Sequence, residues 1–355
     1  MVRARMWTAN KRMSLGVPRV GEVLKGGRMK NKTEKENPQH KRSRPRCSLM
    51  DSFKSYLLRQ AYKDVEKLGD RLAQVEPLID WEKFRPILQG LFDNQGPHGG
   101  RPNVDPVTMA KMLVLQAWYG LSDPELERQA ADRISFRRFL GYPESIPDAT
   151  TVWQLRERLA ETGKDRLVWA ELQRQLDEKG FRVRKGVSQD ASFISADPGG
   201  SGPHGEEAET RRSRDGDWAK REEESTFGYK LHTKADNDHG LVRSLDVTST
   251  SVHDSGVDLS EPGEAVYRDK GYFGVEPRGF NATMRRASRG HPLSIWDRMR
   301  NARISRRRAP VERVFAVLKR VFRGGHVLVT TVPRVRVRLM FCLVCFNLVR
   351  LRGLV

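Results

Sequence analysis

The run Val183-Arg-Lys-Gly-Val187-Ser-Gln-Asp190-Ala-Ser-Phe193-Ile194 marks a change of pattern in this chain. Upstream of it, apolar residues recur at helical spacing. Here β-branched and aromatic residues form a strand-like stretch that carries a carboxylate towards its end. Further strand signals follow. Phe227-Gly-Tyr-Lys-Leu231-His-Thr and Leu241-Val-Arg-Ser-Leu245-Asp-Val-Thr flank Asp236-Asn-Asp-His-Gly240, the pattern of a hairpin with a glycine-containing turn. Ala265-Val-Tyr-Arg-Asp269 reads as a fourth strand, while 196–225 is polar and charged and reads as a loop. A helix is expected from near Pro310 to 322, and a long apolar one from Pro333 to 352. Strands followed by helices, with one hairpin, indicate an α/β sheet layered with helices.

The helical part upstream spans 53–75, 81–92 and several capped segments. Asp105-Pro106 opens a helix with Val107, Met109, Met112, Leu113 and Leu115, running towards Trp118. Ser122-Asp-Pro-Glu125 opens another, Asp148 caps one carrying Val152, Leu155 and Leu159, and 164–178 repeats the pattern before Gly180. Short helices with tight turns fit an all-α, helix-turn-helix-like DNA-binding domain, and on pattern alone they fit a plain helical bundle as well. Residues 1–49 lack apolar periodicity and read as a basic disordered arm, with ordered sequence expected to begin just after Met50. The organisation is thus an arm over 1–49, a helical domain over 50–180 and an α/β domain over 181–355.

Charge is unevenly spread along the 355 residues, whose net charge is +20. Residues 1–50 carry +11 and residues 281–355 carry +16, so the middle carries −7. Basic segments around an acidic centre suit a polyanion gripped about an acid-bearing site. Three cysteines are too few for a disulfide framework and fit a reducing compartment. Cys342 and Cys345 sit in an apolar helix with no second Cys/His pair nearby to complete a zinc site, so core packing is the better reading. No apolar leader is visible, and Leu339–Val349 falls short of the ~20 residues that cross a bilayer. A soluble cytoplasmic protein is expected.

Asp190 and Asp269 are expected at strand ends, and Glu312 on a helix beside them. Carboxylates packed together are unstable unless one is protonated or a cation intervenes. Mg²⁺ or Mn²⁺ suits such oxygen ligands, and two ions ~3.5–4 Å apart can activate an attacking oxygen and stabilise a leaving one. Arg308 at i−4 and Lys319 at i+7 share a helical face with Glu312, offering a carboxylate flanked by two phosphate-binding cations. Arg313, Lys319, Arg320 and Arg323 extend the positive surface, and Lys270 adds a cation next to Asp269. The plain alternative for the helix is an Arg308–Glu312 surface pair. Trp218 and Tyr272 are candidates for stacking on an unpaired base, with loop packing as an equal reading for Trp218. His253 and Asp254 read as a hydrogen-bonding pair near the site, His239 as solvated in the turn, and His232 as following a strand and facing the core.

These motifs, taken in order, resemble the DDE transposases of bacterial and archaeal insertion sequences, in the insertion sequence 5 group of the insertion sequence 4-like superfamily. The resemblance rests on Gln189-Asp190-Ala-Ser-Phe-Ile194, Asp215-Gly-Asp-Trp218 with Phe227-Gly-Tyr-Lys-Leu-His232, and Gly240-Leu. It continues through His253-Asp254, Asp269-Lys-Gly-Tyr272 and Arg308-x3-Glu312-x6-Lys319. The helical region from Tyr119-Gly-Leu-Ser to Ile146-Pro-Asp-Ala-Thr-Thr-Val-Trp153 resembles the family's N-terminal domain, and in all the likeness covers roughly 53–352. It implies an RNase H-like catalytic fold, a mixed sheet flanked by helices, with Asp190, Asp269 and Glu312 holding two Mg²⁺ (or Mn²⁺) ions. It also implies cut-and-paste chemistry on double-stranded DNA, the element's terminal inverted repeats and its target, by a homodimer or larger assembly in the prokaryotic cytoplasm, beside the nucleoid. In the family signature a Tyr stands three residues before the Arg, whereas this chain has Ser305 there. Two other readings remain: an RNase H-like nuclease without strand transfer, and an inactive DNA-binding relative.

Overall fold

Helix α1 (Leu49–Leu68) opens the part of the chain that the computed structural model describes: residues 49–92, 103–199, 215–221 and 224–355. The basic arm, apart from its last residue, lies outside these residues, as does 200–214 of the polar loop. Up to residue 180 the described chain is all helical. Helices α2 (Arg71–Val75), α3 (Arg85–Gln89), α4 (Pro106–Tyr119), α5 (Asp123–Asp132), α6 (Ile134–Phe139), α7 (Ala149–Thr162) and α8 (Asp165–Glu178) follow in turn. Their starts are set locally. Asp105 accepts from the Thr108 amide at 2.7 Å, Asp148 from Thr151 at 2.6 Å, and Ser122 caps α5. Helix α4 buries every residue from Pro106 to Ala117 and is therefore a core helix rather than a half-exposed one.

Among the described residues seven strands form one mixed sheet: β1 (Val187–Ala196), β2 (Asp217–Arg221), β3 (Glu224–Asp236), β4 (Val242–Ser249), β5 (Ala265–Arg268), β6 (Phe280–Thr283) and β7 (His326–Val327). Strand β3 pairs antiparallel with β1, β2 and β4. The expected β3–β4 hairpin is present, its turn held by Asp236 Oδ1, which accepts from the amides of His239 and Gly240. Strands β5 and β7 both run parallel to β1, at opposite ends of it, on the edge that β3 leaves open. Between them, residues 189–194 of that edge face no strand among the described residues. Gly186 brings β1 against β5: a Cβ there would lie 2.4 Å from the Ala265 carbonyl oxygen, and its φ of +87° suits glycine alone.

Three strands escaped the sequence reading. β2 and the first residues of β3 lie inside the stretch read as loop; β6 and β7 have four and two residues. All are too short or too polar for a two-residue period to stand out, and pairing with longer neighbours makes them.

The helix read as starting near Pro310 in fact begins fifteen residues earlier: α9 (Ile295–Arg320) is 26 residues long and runs through the proline. A capping box of Ser294 and Asp297 starts it. Pro310 removes one backbone donor, so the Arg306 carbonyl cannot receive its helical bond, a cost of about 3 kcal/mol. The helix survives because Asn301, Ile304, Arg308, Val311, Phe315 and Leu318 form an unbroken buried stripe on both sides of the break.

Helix α10 (Val332–Arg352) starts one residue before the expected Pro333, which lies in its first turn, and it is buried on nearly all sides. Its first turn is capped from a distance by Asp215, which accepts from the Val332 amide and from the Tyr229 hydroxyl. Helix α10 serves the helical segment and the sheet alike. Cys345 Sγ lies 3.5 Å from the Val114 carbonyl, and Asn347 exchanges two hydrogen bonds with Val242 of β4. Both cysteines are fully buried, as expected, and burial pushes their thiols up. One hydrophobic core thus contains α4, α7, α8, α10 and the inner face of the sheet. No helix among the described residues is long and apolar enough to cross a membrane.

Candidate active site: an acid-lined cavity between sheet and helix

The segment after β4, residues 250–264, crosses the face of β3 opposite α10 and is fastened there by ion pairs. Lys234 Nζ lies 2.9 Å from both Glu261 and Glu264, and Lys230 Nζ lies 2.8 Å from Asp254. Lys230 and Lys234 are buried, as is His232 between them. Fully desolvated lysines are costly unless paired, so these contacts fix the register of the crossing. They deliver His253 and Asp254 to the rim of a cavity of about 590 Å³.

Asp190, Asp269 and Glu312 all line this cavity, with Ala191, Phe193, Lys220, Lys230, His253, Asp254 and Arg308. Asp190 does not end its strand. It is the fourth of ten residues in β1, which continues because β3 pairs with it as far as Ser195. What opens at Asp190 is the other edge, where β5 has just diverged. Asp269 follows β5 directly, and its Oδ1 accepts from the Gly271 amide at 2.8 Å, capping a short 3-10 turn over Lys270–Tyr272. Glu312 comes from α9, one position off the buried stripe, and is exposed.

Arg308 lies on the stripe itself. It is buried, and its Nη2 donates to Asp190 Oδ2 at 2.8 Å. The i,i+4 pair with Glu312 is not made, and among the described residues Glu312 has no ion pair. Burial pushes the Asp190 carboxyl up to about 6. The Arg308 guanidinium and the Ala191 amide oppose the rise, and the nearby Asp269 and Asp254 add to it.

Residues expected at the site divide in two. His253 and Asp254 line the cavity but do not bond each other: His253 Nδ1 meets Ser255 Oγ at 2.7 Å, while Asp254 pairs with Lys230. Tyr272 is fully buried with Arg268 above its ring, so it presents no face to a base, and burial raises its hydroxyl pKa. Trp218 lies on β2, half exposed, with its indole 5.5 Å from the Phe227 ring. Lys270, Lys319 and Arg320 are exposed outside the cavity, and Arg313 lines a separate basic pocket with Arg306 and Arg350. His232 lies within β3 rather than after it, with Nε2 2.9 Å from Thr248 Oγ1, and burial lowers it to about 4. His239 packs edge-on against Phe181 and is half-buried rather than solvated. The sequence reading missed Lys220 and Lys230. Lys230 stands in the motif Phe227-Gly-Tyr-Lys-Leu-His232, and its alternation with Tyr229 and Leu231 along β3 turns it to the cavity side.

The donor set suits a hard divalent cation: carboxylate oxygens from three elements, one of them with its pKa raised by burial and by its acidic neighbours. Among the described residues no three His, Cys, Asp or Glu side chains already stand close enough to share an ion. A cation seated at Asp190 competes with Arg308, which donates to Oδ2, and with the Ala191 amide, which donates to Oδ1.

Residues 59–158 of the chain match the family Transposase domain (DUF772), and residues 182–348 match the family Transposase DDE domain. No solved structure matches the chain.

Proposed function

This chain carries a transposase DDE domain behind a second transposase domain, and from that premise we propose that it cuts DNA at the terminal inverted repeats of an insertion sequence and joins the freed 3′-hydroxyl to target DNA. The observation that carries this reading is the shared cavity of Asp190, Asp269 and Glu312, three acids drawn from β1, the end of β5 and α9. The mixed sheet flanked by helices supports an RNase H-like catalytic part over 181–355. The helical part over 50–180 is proposed to bind DNA.

DDE transposases generally use divalent metal ions. Here Asp190, Asp269 and Glu312 would hold Mg²⁺ or Mn²⁺, two ions per site, supplying activation of the attacking oxygen and stabilisation of the leaving one. The chain's own residues do the rest. Asp190 would hold an ion through its carboxylate, in competition with the Arg308 guanidinium, whose charge also suits a phosphate oxygen. Glu312, unpaired on an exposed turn, meets no such competition. Lys319, Arg313, Arg320 and Lys270 contribute positive surface outside the cavity for duplex held in place. In the first step water adds to phosphorus as the P–O3′ bond breaks. In the second, the freed 3′-hydroxyl adds to a target phosphorus and displaces a target 3′-oxygen. Holding two element ends calls for at least two copies of the chain, working in the cytoplasm beside the nucleoid.

The test is incubation with Mg²⁺ or Mn²⁺ and a duplex bearing the element's end, with Asp190→Asn as control. The expected result is cleavage and joined product from wild type alone. Cleavage without joined product favours a nuclease; no cleavage by either protein overturns both enzymatic readings.

A further inference from the structure

Among the described residues three cations, two lysines and an arginine, line the acidic cavity, and two are already committed. Arg308 is paired with Asp190, and Lys230 with Asp254 and the Val252 carbonyl. Both are more than nine-tenths buried. The third, Lys220, is exposed and makes no ion pair or hydrogen bond among the described residues. It comes from β2, which contributes no other described residue to the cavity.

Strand β2 holds Lys220 firmly. The Trp218 indole two residues earlier packs on Phe227, which is buried, and Trp218 and Phe227 are cross-strand partners. At the base of the pair, the buried Thr250 hydroxyl lies against the Asp217 and Gly228 carbonyls. Lys220 is itself in register with Ser225 of β3. Its ammonium therefore swings only on its own stem, over a backbone fixed to the core.

A phosphodiester entering this cavity meets four carboxylates: Asp190, Asp254, Asp269 and Glu312. The approach of a polyanion to such a wall needs a cation that is not already neutralising an acid. We propose that Lys220 is a substrate-binding residue of the cavity, holding the DNA backbone beside the phosphate that is cut. This rests on the transposase reading and adds to it a strand-borne contact, apart from those expected on α9. As a point charge on a flexible stem, Lys220 contacts phosphate without reading bases, so its effect is uniform over sequence.

The test uses the full chain with EDTA, so that no strand is cut, and duplex DNA of several sequences in a fluorescence-anisotropy titration across salt concentrations. For Lys220→Gln the expected result is binding weaker by about three- to tenfold on every sequence, with a salt slope smaller by about 1. Lys220→Arg should restore both, and the thermal midpoints of all three proteins should coincide. With metal present, Lys220→Gln should raise KM for cleavage more than it lowers kcat. Wild-type binding matched by Lys220→Gln in affinity and slope overturns the proposal and leaves the transposase reading standing. Wild type that binds no duplex overturns both.

Discussion

Arg308 Nη2 stands 2.8 Å from Asp190 Oδ2, tying helix α9 to strand β1 inside the cavity instead of pairing with Glu312 one turn along its own helix. The guanidinium neutralises Asp190 at Oδ2, where a cation would have to compete with it. Arg308→Gln should therefore bind Mn²⁺ several-fold more tightly at pH 8, where Asp190 is ionised, as read by electron paramagnetic resonance of free Mn²⁺. The same change should lower stability by about 2–3 kcal/mol, because it strands a largely buried carboxylate. Mn²⁺ binding that is unchanged or weaker would contradict this account.

Asp190 and His232 should give opposite pH dependences of metal-free stability. The Asp190 pKa is raised to about 6. Its contribution is full below the unfolded value near 4 and is lost as pH rises through 6. The His232 pKa is lowered to about 4. The folded state resists protonation there, so its contribution is full above about 6.5 and is lost as pH falls towards 4. Each is worth roughly 3 kcal/mol, so the two nearly cancel between pH 4 and 6. Urea melts should find that His232→Asn gains stability on acidification relative to wild type and that Asp190→Asn loses it. Parallel curves for all three proteins would count against both shifts.

Lys234 and Glu261 face each other at 2.9 Å, yet only the lysine is buried; the glutamate side chain is 73% exposed. Lys234→Ala should cost about 3 kcal/mol, since it leaves Glu264, 12% exposed, without its cation. Glu261→Gln should cost under about 1 kcal/mol. Equal effects in denaturant titrations would mean that the crossing segment is not held as described. Loosening it with Lys234→Ala should also depress cleavage, because His253 and Asp254 ride on that segment.

Pro310→Ala should return a donor to the Arg306 carbonyl and stabilise the chain by about 1–3 kcal/mol. The ring also lines the pocket of Arg313, Phe346 and Arg350. A lower melting temperature for the alanine variant would show that its packing there outweighs the missing hydrogen bond.

Features decided by neighbours in sequence were legible beforehand. Asp105, Ser122 and Asp148 cap helices through amides three residues on, and Pro333 opens α10. The three acids were legible because each sits in a short motif. Features decided across the fold were not. The extension of β1 past Asp190 depends on β3, the burial of Tyr272 on Arg268, and the partner of Arg308 on a residue 118 positions away. Lys220 was hidden because a polar stretch becomes β2 only by pairing with β3. Helix α9 is a different case. Its Ser294–Asp297 capping box marks the true start, but Pro310 is the stronger local signal for a helix opening.

Helix α10 is the last element of the chain, yet it reaches the Val114 carbonyl of α4 and pairs Arg334 with Glu157 and Arg336 with Asp165. These helices, made early, thus wait for residues made much later. During synthesis, α4 and α7 keep apolar surface uncovered until Val332–Arg352 has left the ribosome. A chain cut short anywhere before that point leaves the apolar faces of α4 and α7 bare, so the helical part depends on the distant helix for its core.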